Sequence, residues 1–198
     1  MALMDVLLDE MRDLYSAENQ LVKALPKMVK GAVDPSVKSL LKNHLEETKV
    51  QVQRLRDAFT VLGKKPTGQH CNGMEGLIEE GTDALEKDEE GANKDLGICG
   101  ASSRVEHYEI AGYTTAIGLA KALGQKEVVG LLNQNLAEEV AAAKAIFAGT
   151  KPLLKAALAQ GDPTENEEEK KPKTGKEKYS EKKSKDDEKE ASASLKKK

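Results

Sequence analysis

Apolar residues recur every three or four positions along most of the first 160 residues, which is the spacing of amphipathic helices. Glycines and prolines divide this pattern into long helices over about 3–30, 35–62, 95–123 and 125–149, with a short helix near 74–87. Residues 151–160 either extend the last long helix or form a further short one. Tight turns within each pair and one long crossover predict an all-α four-helix bundle with a short extra helix in the crossover.

Each long helix carries acidic residues in the middle of its apolar stripe. The two halves of the chain repeat this feature at one offset, since Glu109 follows Glu18, and Glu138 follows Glu47, by 91 residues. The same offset aligns "LLKNHLEE" (40–47) with "LLNQNLAE" (131–138). The bundle is therefore predicted to be a duplicated helical hairpin with these residues on its inner side: Glu18, His44, Glu47, Glu106, Glu109 and Glu138.

Clustered carboxylates in an apolar core destabilise a fold through desolvation and mutual repulsion, unless cations neutralise them. A single glutamate on an apolar stripe is explained by a side chain reaching outward or by a buried salt bridge. Four repeat-related glutamates at mid-height favour a dinuclear metal site instead. An oxygen-rich ligand set with one or two imidazoles suits two iron or manganese ions rather than structural zinc.

Composition separates a folding part, residues 1–160, from a tail, residues 161–198, that is predicted to be disordered. The tail mixes lysine with acidic residues, so a solvated polyampholyte is favoured over a nucleic-acid-binding segment. The chain shows neither a signal peptide at its start nor an apolar stretch of membrane-spanning length. Cys71 and Cys99 lie far apart, as two free thiols, and a cytoplasmic location is expected.

Four motifs, "YSAENQLVKALPKM", "HLEETK", "MEGLIEEG" and "RVEHYEIAGY", resemble the YciE/YciF family of ferritin-like bacterial stress proteins, described as ferroxidase-like. The resemblance covers about residues 3–150. It implies a compact ferritin-like bundle related to rubrerythrin and ferritin, a homodimer, and a carboxylate-bridged metal pair.

The resemblance places Glu18, Glu47, Glu109 and Glu138 at the four carboxylate positions, and Glu106 at the extra glutamate of rubrerythrin-like sites. The wider pattern has Glu-x-x-His on the second and fourth helices, whereas this chain has Val50 and Ala141 there. His44, one turn before Glu47, is then either a replacement ligand or a hydrogen-bonded core histidine. Among the neighbours of these positions, we expect a solvated Glu139, a second-layer or interfacial His107, and tyrosines that bond to ligands or only fill the core, Tyr15 and Tyr113.

The sequence thus predicts a stress protein that oxidises Fe(II) with peroxide or dioxygen as acceptor, without membrane or nucleic-acid partners. Two alternatives belong to other classes. One is a helical interaction protein whose acidic centre is vestigial, because the expected histidines are missing. The other is a DNA-protecting mini-ferritin that uses the charged tail.

Overall fold

The computed structural model describes residues 2–67, 69–87 and 90–160. These ranges form α1 (Leu3–Gly31), α2 (Pro35–Val61), α3 (Asn72–Glu86), α4 (Gly91–Ala122) and α5 (Lys126–Gln160). The all-α prediction is confirmed, with α3 in the crossover between two helical hairpins. None of the described helices is both long and apolar enough to cross a membrane. Residues 161–198 lie outside the described residues, so the tail and its boundary remain predictions.

Local signals explain most helix ends. The Asp34 side chain accepts hydrogen bonds from the backbone nitrogens of Ser36 and Val37, and proline occupies the first helical position of α2, as predicted. The prediction for the start of α4 was four residues late. Asp95, the fifth residue of α4, is buried and accepts from the backbone nitrogens of Val33 (2.8 Å) and Asp34 (2.7 Å). This bond pair ties the beginning of α4 to the α1–α2 connection.

The last long helix continues through residues 151–160, which settles the alternative that the sequence left open. Pro152 lies inside α5, and Leu153 beside it is buried. Proline removes one backbone hydrogen bond, while the buried leucine continues the apolar stripe of the helix. Pro26 is likewise inside α1.

The duplication is visible in the helix boundaries. Helix α1 ends at Gly31 and α4 at Ala122, while α2 begins at Pro35 and α5 at Lys126. Both differences, 122 − 31 and 126 − 35, equal the offset of 91 found in the sequence. The two hairpins therefore have connections of equal length and place corresponding residues at corresponding heights.

The apolar core is divided between the two ends of the bundle. One cluster joins the start of α1 to the end of α2, the end of α4 and the start of α5; it includes Leu7, Met11, Leu14, Leu55, Phe59, Tyr113, Ile117, Val128 and Leu132. The other joins the remaining halves and the covering α3; it includes Leu21, Leu25, Leu41, Met74, Ile98, Val105 and Ile146. The helix positions between the two clusters carry the buried polar residues, so the polar centre lies at mid-height.

Candidate metal centre

Four side chains from three helices meet at this polar centre. They are His44 on α2, Glu106 and Glu109 on α4, and Glu139 on α5, and each offers a ligand atom within 4.8 Å of the others. The three carboxylates are at most 1% exposed, and His44 is 7% exposed. Such a group of closely spaced and buried donors is the arrangement that a metal ion requires.

Glu18 on α1 adds a fourth buried carboxylate beside this group. Its side chain is fully buried, and one oxygen accepts a hydrogen bond from the hydroxyl of Tyr113. Burial raises the pKa of Glu18 well above its usual value, and the charge of Glu139 raises that pKa further. The carboxylate of Glu18 on α1 is therefore close enough to Glu139 to interact with it electrostatically.

Most ligand atoms of the centre accept no hydrogen bond from a nitrogen or hydroxyl donor among the described residues, although Glu106 and Glu139 lie close enough to share a proton. The atoms without such a donor are Oε2 of Glu18 and of Glu106, both oxygens of Glu109 and of Glu139, and both ring nitrogens of His44. Buried polar atoms left unpaired destabilise a protein by about 1–3 kcal/mol each. A divalent cation would pair several of them at once, and four carboxylates balance the charge of two such cations. The residues present therefore fit a bound metal pair.

Burial also controls the protonation of these groups. Desolvation raises the pKa of Glu106 and of Glu109 well above the usual glutamate range, and raises that of Glu139 to about 7. Desolvation lowers the pKa of His44 to about 4, so its imidazole is neutral at physiological pH and keeps a free lone pair. Its Nε2 lies 3.2 Å from Oε1 of Glu106. The centre thus holds protons in its metal-free form that a metal must displace.

The structure brings together four of the six ligands predicted from sequence: Glu18, His44, Glu106 and Glu109. Their role as ligands remains a prediction. Nδ1 of His44 has no hydrogen-bond partner among the described residues, and Nε2 lies 3.2 Å from Glu106, itself a candidate ligand, which favours the ligand interpretation over a hydrogen-bonded core histidine.

The other two predicted ligands, Glu47 and Glu138, lie at the edge of the centre. The Glu47 side chain is 46% exposed, and its Oε2 is 4.0 Å from Nδ1 of His44. Arg54 holds Glu138 through two contacts of 2.6 and 2.8 Å. The expectation that Glu139 is solvated was wrong, because that side chain is fully buried. Helix α5 therefore directs Glu139, not Glu138, into the centre.

This difference comes from a shift of one residue in the helix phase. The buried stripe of α5 runs through Leu132, Asn135 and Glu139, whereas the sequence pattern predicted Glu138 on the inner side of the bundle. Neighbouring residues differ by about 100° around a helix. An apolar stripe stays continuous whether the next inward residue is three or four positions further on, so the pattern permits either phase. Because the chain has paired leucines and paired glutamates there, residue type alone does not separate the two phases.

The same shift occurs at the corresponding place in α2, where Thr48 rather than Glu47 is buried. One signal in the sequence could have shown this. A threonine hydroxyl can bond to the carbonyl four residues earlier in its own helix, so it needs no partner in the core. The Thr48 hydroxyl does so, donating to the His44 carbonyl at 2.8 Å.

A hydrogen-bond chain supports Glu18 from the far side of the centre. Nη1 of Arg54 donates to Oδ1 of Asn135 at 3.0 Å, and Nδ2 of Asn135 donates to the Tyr113 hydroxyl at 2.9 Å. Tyr113 then donates to Glu18. Of the two alternatives that the sequence left open for Tyr113, the bond to a candidate ligand is the one present. Arg54, which anchors the chain of hydrogen bonds through Glu138, had no signal in the sequence pattern.

The remaining candidates take no part in the centre. The Tyr15 hydroxyl accepts a bond from Nε of Arg56 at 3.0 Å. His107 is exposed, with Nδ1 2.7 Å from the carbonyl oxygen of Ser103. Cys71 begins α3, where its sulfur accepts from the backbone nitrogen of Met74. Because His107 is exposed, it does not lie in a second layer around the centre, whereas its location at an interface stays a prediction.

Comparison with known proteins agrees with this architecture. Protein YciF of Escherichia coli (strain K12) is 37% identical over 138 residues, which cover 69% of this chain and 83% of YciF. The crystal structure of that E. coli stress protein matches with a TM-score of 0.76 and 33% identity, covering 78% of this chain and 98% of that one. YcfI from Rhodopseudomonas palustris, which is called a structural protein, matches with a TM-score of 0.72 and 40% identity, covering 74% and 93% of the two chains.

Residues 2–159 match a family described as a domain of unknown function, DUF892. That range spans all five helices up to the last residue of α5, and it contains every side chain of the centre. The chain is a ferritin-like member of the DUF892 family, to which its likeness to YciF also assigns it.

Proposed function

We propose that the protein binds two iron or manganese ions at the centre formed by Glu18, His44, Glu106, Glu109 and Glu139, and that it oxidises Fe(II) in the stress response. The observation that carries the proposal is the set of buried carboxylate oxygens without hydrogen-bond partners around a neutral imidazole. Carboxylate oxygens with one imidazole favour iron and manganese over structural zinc.

In this reaction Fe(II) is the substrate and peroxide or dioxygen the electron acceptor. Two Fe(II) ions supply two electrons, which convert one hydrogen peroxide and two protons into two water molecules. Bound iron supplies the redox chemistry, and the carboxylates stabilise the higher charge of the ferric product. The protons released by the glutamates on binding the cation are available for the water that forms.

Several features of the chain support this chemistry. Tyr113 holds one oxygen of Glu18 and so directs the other toward the centre. The apolar clusters above and below exclude water, which strengthens every interaction between carboxylate and cation. Burial keeps His44 unprotonated, as a ligand must be.

Metal analysis and iron oxidation test the proposal together. Protein purified without chelator should contain two iron or manganese ions per chain. It should oxidise added Fe(II), followed by ferric absorbance, faster than buffer with hydrogen peroxide or dioxygen. A Glu109→Ala/Glu139→Ala variant should lose both properties. Protein that binds no Fe(II) or Mn(II) would refute the proposal.

The alternative is a helical interaction protein with a vestigial centre. It is favoured by the description of YcfI as a structural protein and by the missing Glu-x-x-His histidines. The same assay separates the two functions, because a vestigial centre leaves Fe(II) oxidation at the rate of buffer.

The proposal includes a cytoplasmic location and a homodimer. Two buried free thiols, Cys71 and Cys99, support a reducing compartment. Exposed apolar residues near the end of α5, Phe147 and Leu158, are consistent with association. Light scattering of the purified protein measures the oligomeric state directly.

A further inference from the structure

A cavity of about 140 Å³ lies between α1, α3 and α4 and ends at the metal centre. Its inner end is formed by His44 and Glu106, which belong to the centre. Most of its lining is apolar and includes Leu21, Leu25, Met28, Leu77, Ile78 and Val105, and four polar side chains also line it, Lys23, Lys27, Thr82 and Ser102. The cavity is thus mainly apolar along its walls and polar where it meets the metal centre.

This shape selects among electron acceptors. Hydrogen peroxide is polar at both ends, and apolar walls give it no hydrogen bonds, so the cavity offers it little binding energy. An apolar space of about 150 Å³ is large enough to bind a molecule the size of benzene. A small organic molecule with one polar group satisfies both parts of the cavity.

We propose that this cavity binds small organic hydroperoxides, with the alkyl or aryl group on the apolar walls and the hydroperoxide at His44 and Glu106. This inference rests on the proposed function and names its electron acceptor. Two Fe(II) ions reduce the O–O bond of one hydroperoxide and two protons are taken up. The products are one alcohol, one water and two Fe(III) ions.

Binding to the metal-free protein tests the cavity without any redox reaction. The probe is 2-phenyl-2-propanol, the alcohol that cumene hydroperoxide yields, titrated by calorimetry or NMR. Ala24 lines the cavity, so Ala24→Leu should fill it and weaken binding by about tenfold or more. Ala111→Leu makes the same change at an exposed position of α4 and should bind as the wild type does. Ala101→Leu fills the cavity from the α4 wall and replaces Ala24→Leu if that variant unfolds.

Absent or unsaturable binding, or equal binding by all variants, overturns the inference. Iron oxidation then separates it from the proposed function. Ala24→Leu should slow oxidation by cumene hydroperoxide by about tenfold and leave oxidation by hydrogen peroxide unchanged. If the alcohol binds but neither oxidant acts, the cavity site stands and the proposed function fails. If hydrogen peroxide acts and the alcohol does not bind, the reverse holds.

A second cavity, of about 220 Å³, reaches the same His44 and Glu106 from the side of α2 and α5. Its walls differ from those of the first, since they include Asn43 and Glu47 and a group of alanines, Ala141, Ala142 and Ala145. Glu47 is 46% exposed, so a carboxylate stands where the cavity meets solvent.

The repeat-related position on the other side of the bundle carries an arginine. At the offset of 91, Glu47 corresponds to Glu138 and Arg54 to Ala145. Arg54 binds both oxygens of Glu138, so that carboxylate is neutralised and its surroundings are filled. Ala145 has no charged group to offer Glu47, which leaves a cavity in place of an ion pair.

We infer that divalent cations reach the centre through the α2–α5 cavity, past Glu47 and His44, and that Arg54 closes the equivalent route at Glu138. Nδ1 of His44, buried and without a hydrogen bond among the described residues, lies 4.0 Å from Glu47. A partly hydrated cation at the carboxylate could therefore exchange water for this nitrogen on its way in. This inference also rests on the proposed metal centre.

Copying the arginine onto the open side tests this route. In Ala145→Arg, a guanidinium should pair with Glu47, and stopped-flow absorbance of Co(II) should show association slowed by about tenfold with unchanged final stoichiometry. Ala137→Arg adds the same charge at an exposed position of α5 and should change the rate little. Arg54→Ala should accelerate association by opening the second route.

Equal association rates in the wild type and in Ala145→Arg would overturn the assigned route. Loss of stoichiometry in Ala145→Arg with an unchanged rate would show that the arginine damages the centre itself, which also contradicts it. A wild-type protein that binds no Co(II), Mn(II) or Fe(II) would instead refute the proposed function.

Discussion

The first hairpin, α1–α2, and the second, α4–α5, have their turns at equivalent residues, but they carry different polar side chains. Glu18 and Glu109 correspond and are both fully buried. His44 corresponds to Asn135, and Thr48 to Glu139, and all four are buried. Duplication thus explains the common arrangement of the helices, while the sequence differences between the two hairpins explain which polar residues form the centre.

The difference is also one of polar satisfaction. On the Asn135 side, a chain of hydrogen bonds through Arg54 and Tyr113 pairs the buried groups with one another. On the His44 side, the imidazole and the carboxylates of Glu109 and Glu139 have no such partners among the described residues. The Asn135 side of the centre therefore stabilises the fold, whereas the His44 side holds a destabilising arrangement that a cation relieves.

The largest effect is expected from removing the inward carboxylates, which should abolish the stabilisation of the protein by bound metal. A metal in thousandfold excess over its Kd stabilises a protein by about 4 kcal/mol. Glu109→Ala/Glu139→Ala should lose that stabilisation completely, as measured by melting with and without Mn(II). The control is Glu47→Ala/Glu138→Ala, which alters the edge glutamates and should keep most of it. Sequence periodicity alone expects the opposite, so loss in the control variant would contradict the observed helix phase.

Making the halves more alike should destabilise the metal-free protein. Thr48→Glu places a fifth carboxylate opposite Glu139, and an unpaired buried charge destabilises by about 3 kcal/mol. Denaturant unfolding near pH 8 measures this loss, and added Mn(II) should recover part of it.

Thr60→Glu is the matched control for that variant. Thr60 is exposed on the same helix, and its hydroxyl also donates to a carbonyl four residues earlier. Little change is expected there. Equal losses in both variants would point to helix propensity rather than to charge in the centre.

Removing the polar group at the corresponding positions 44 and 135 should have opposite effects. Asn135→Leu removes one hydrogen bond from each of Arg54, the Tyr113 hydroxyl and the Gln51 carbonyl, and should destabilise the metal-free protein by about 2 kcal/mol. His44→Leu breaks no hydrogen bond among the described residues and should be neutral or stabilising without metal. Chemical denaturation of both variants checks this, and an equal loss would contradict the assigned difference between the halves.

The smallest effect expected is on pH dependence. The folded-state pKa values of Glu18, Glu106, Glu109 and Glu139 are raised, so the native protein binds more protons than the unfolded chain, and stability falls as pH rises through those values. His44, with a pKa lowered to about 4, opposes this trend only below its unfolded value of about 6.5. From about pH 6.5 to pH 8.5, metal-free protein should therefore lose about 1 kcal/mol or more.

Calorimetric melts at both pH values test this sign. Glu139→Gln removes the group whose pKa is raised to about 7 and should flatten the dependence. Mn(II) should stabilise more at the higher pH, because binding requires ionised carboxylates. A wild-type stability that rises over this interval would show that the glutamates are not held protonated.

Several features could be predicted from the sequence because they depend on neighbouring residues. Asp34 followed by proline begins α2, and the offset of 91 residues recurs in the helix ends. Glu18 and Glu109 could be placed inside because neither has an acidic neighbour that offers a second phase. These features depend only on nearby residues in the sequence, and the geometry of a helix then determines which side chains face the core.

The membership of the centre was decided by tertiary packing. Glu138 and Glu139 have the same chemistry and adjoin one another, so only the contact of α5 with α2 determines that Arg54 pairs with the first and that the second is buried. The same contact buries Thr48 and leaves Glu47 at the edge. A rotation of about 100° separates the two arrangements, and periodicity near 3.6 residues tolerates either at little difference in apolar burial. The ion pair between Arg54 on α2 and Glu138 on α5 selects one of the two arrangements. The periodicity of a single helix carries no information about such a pair.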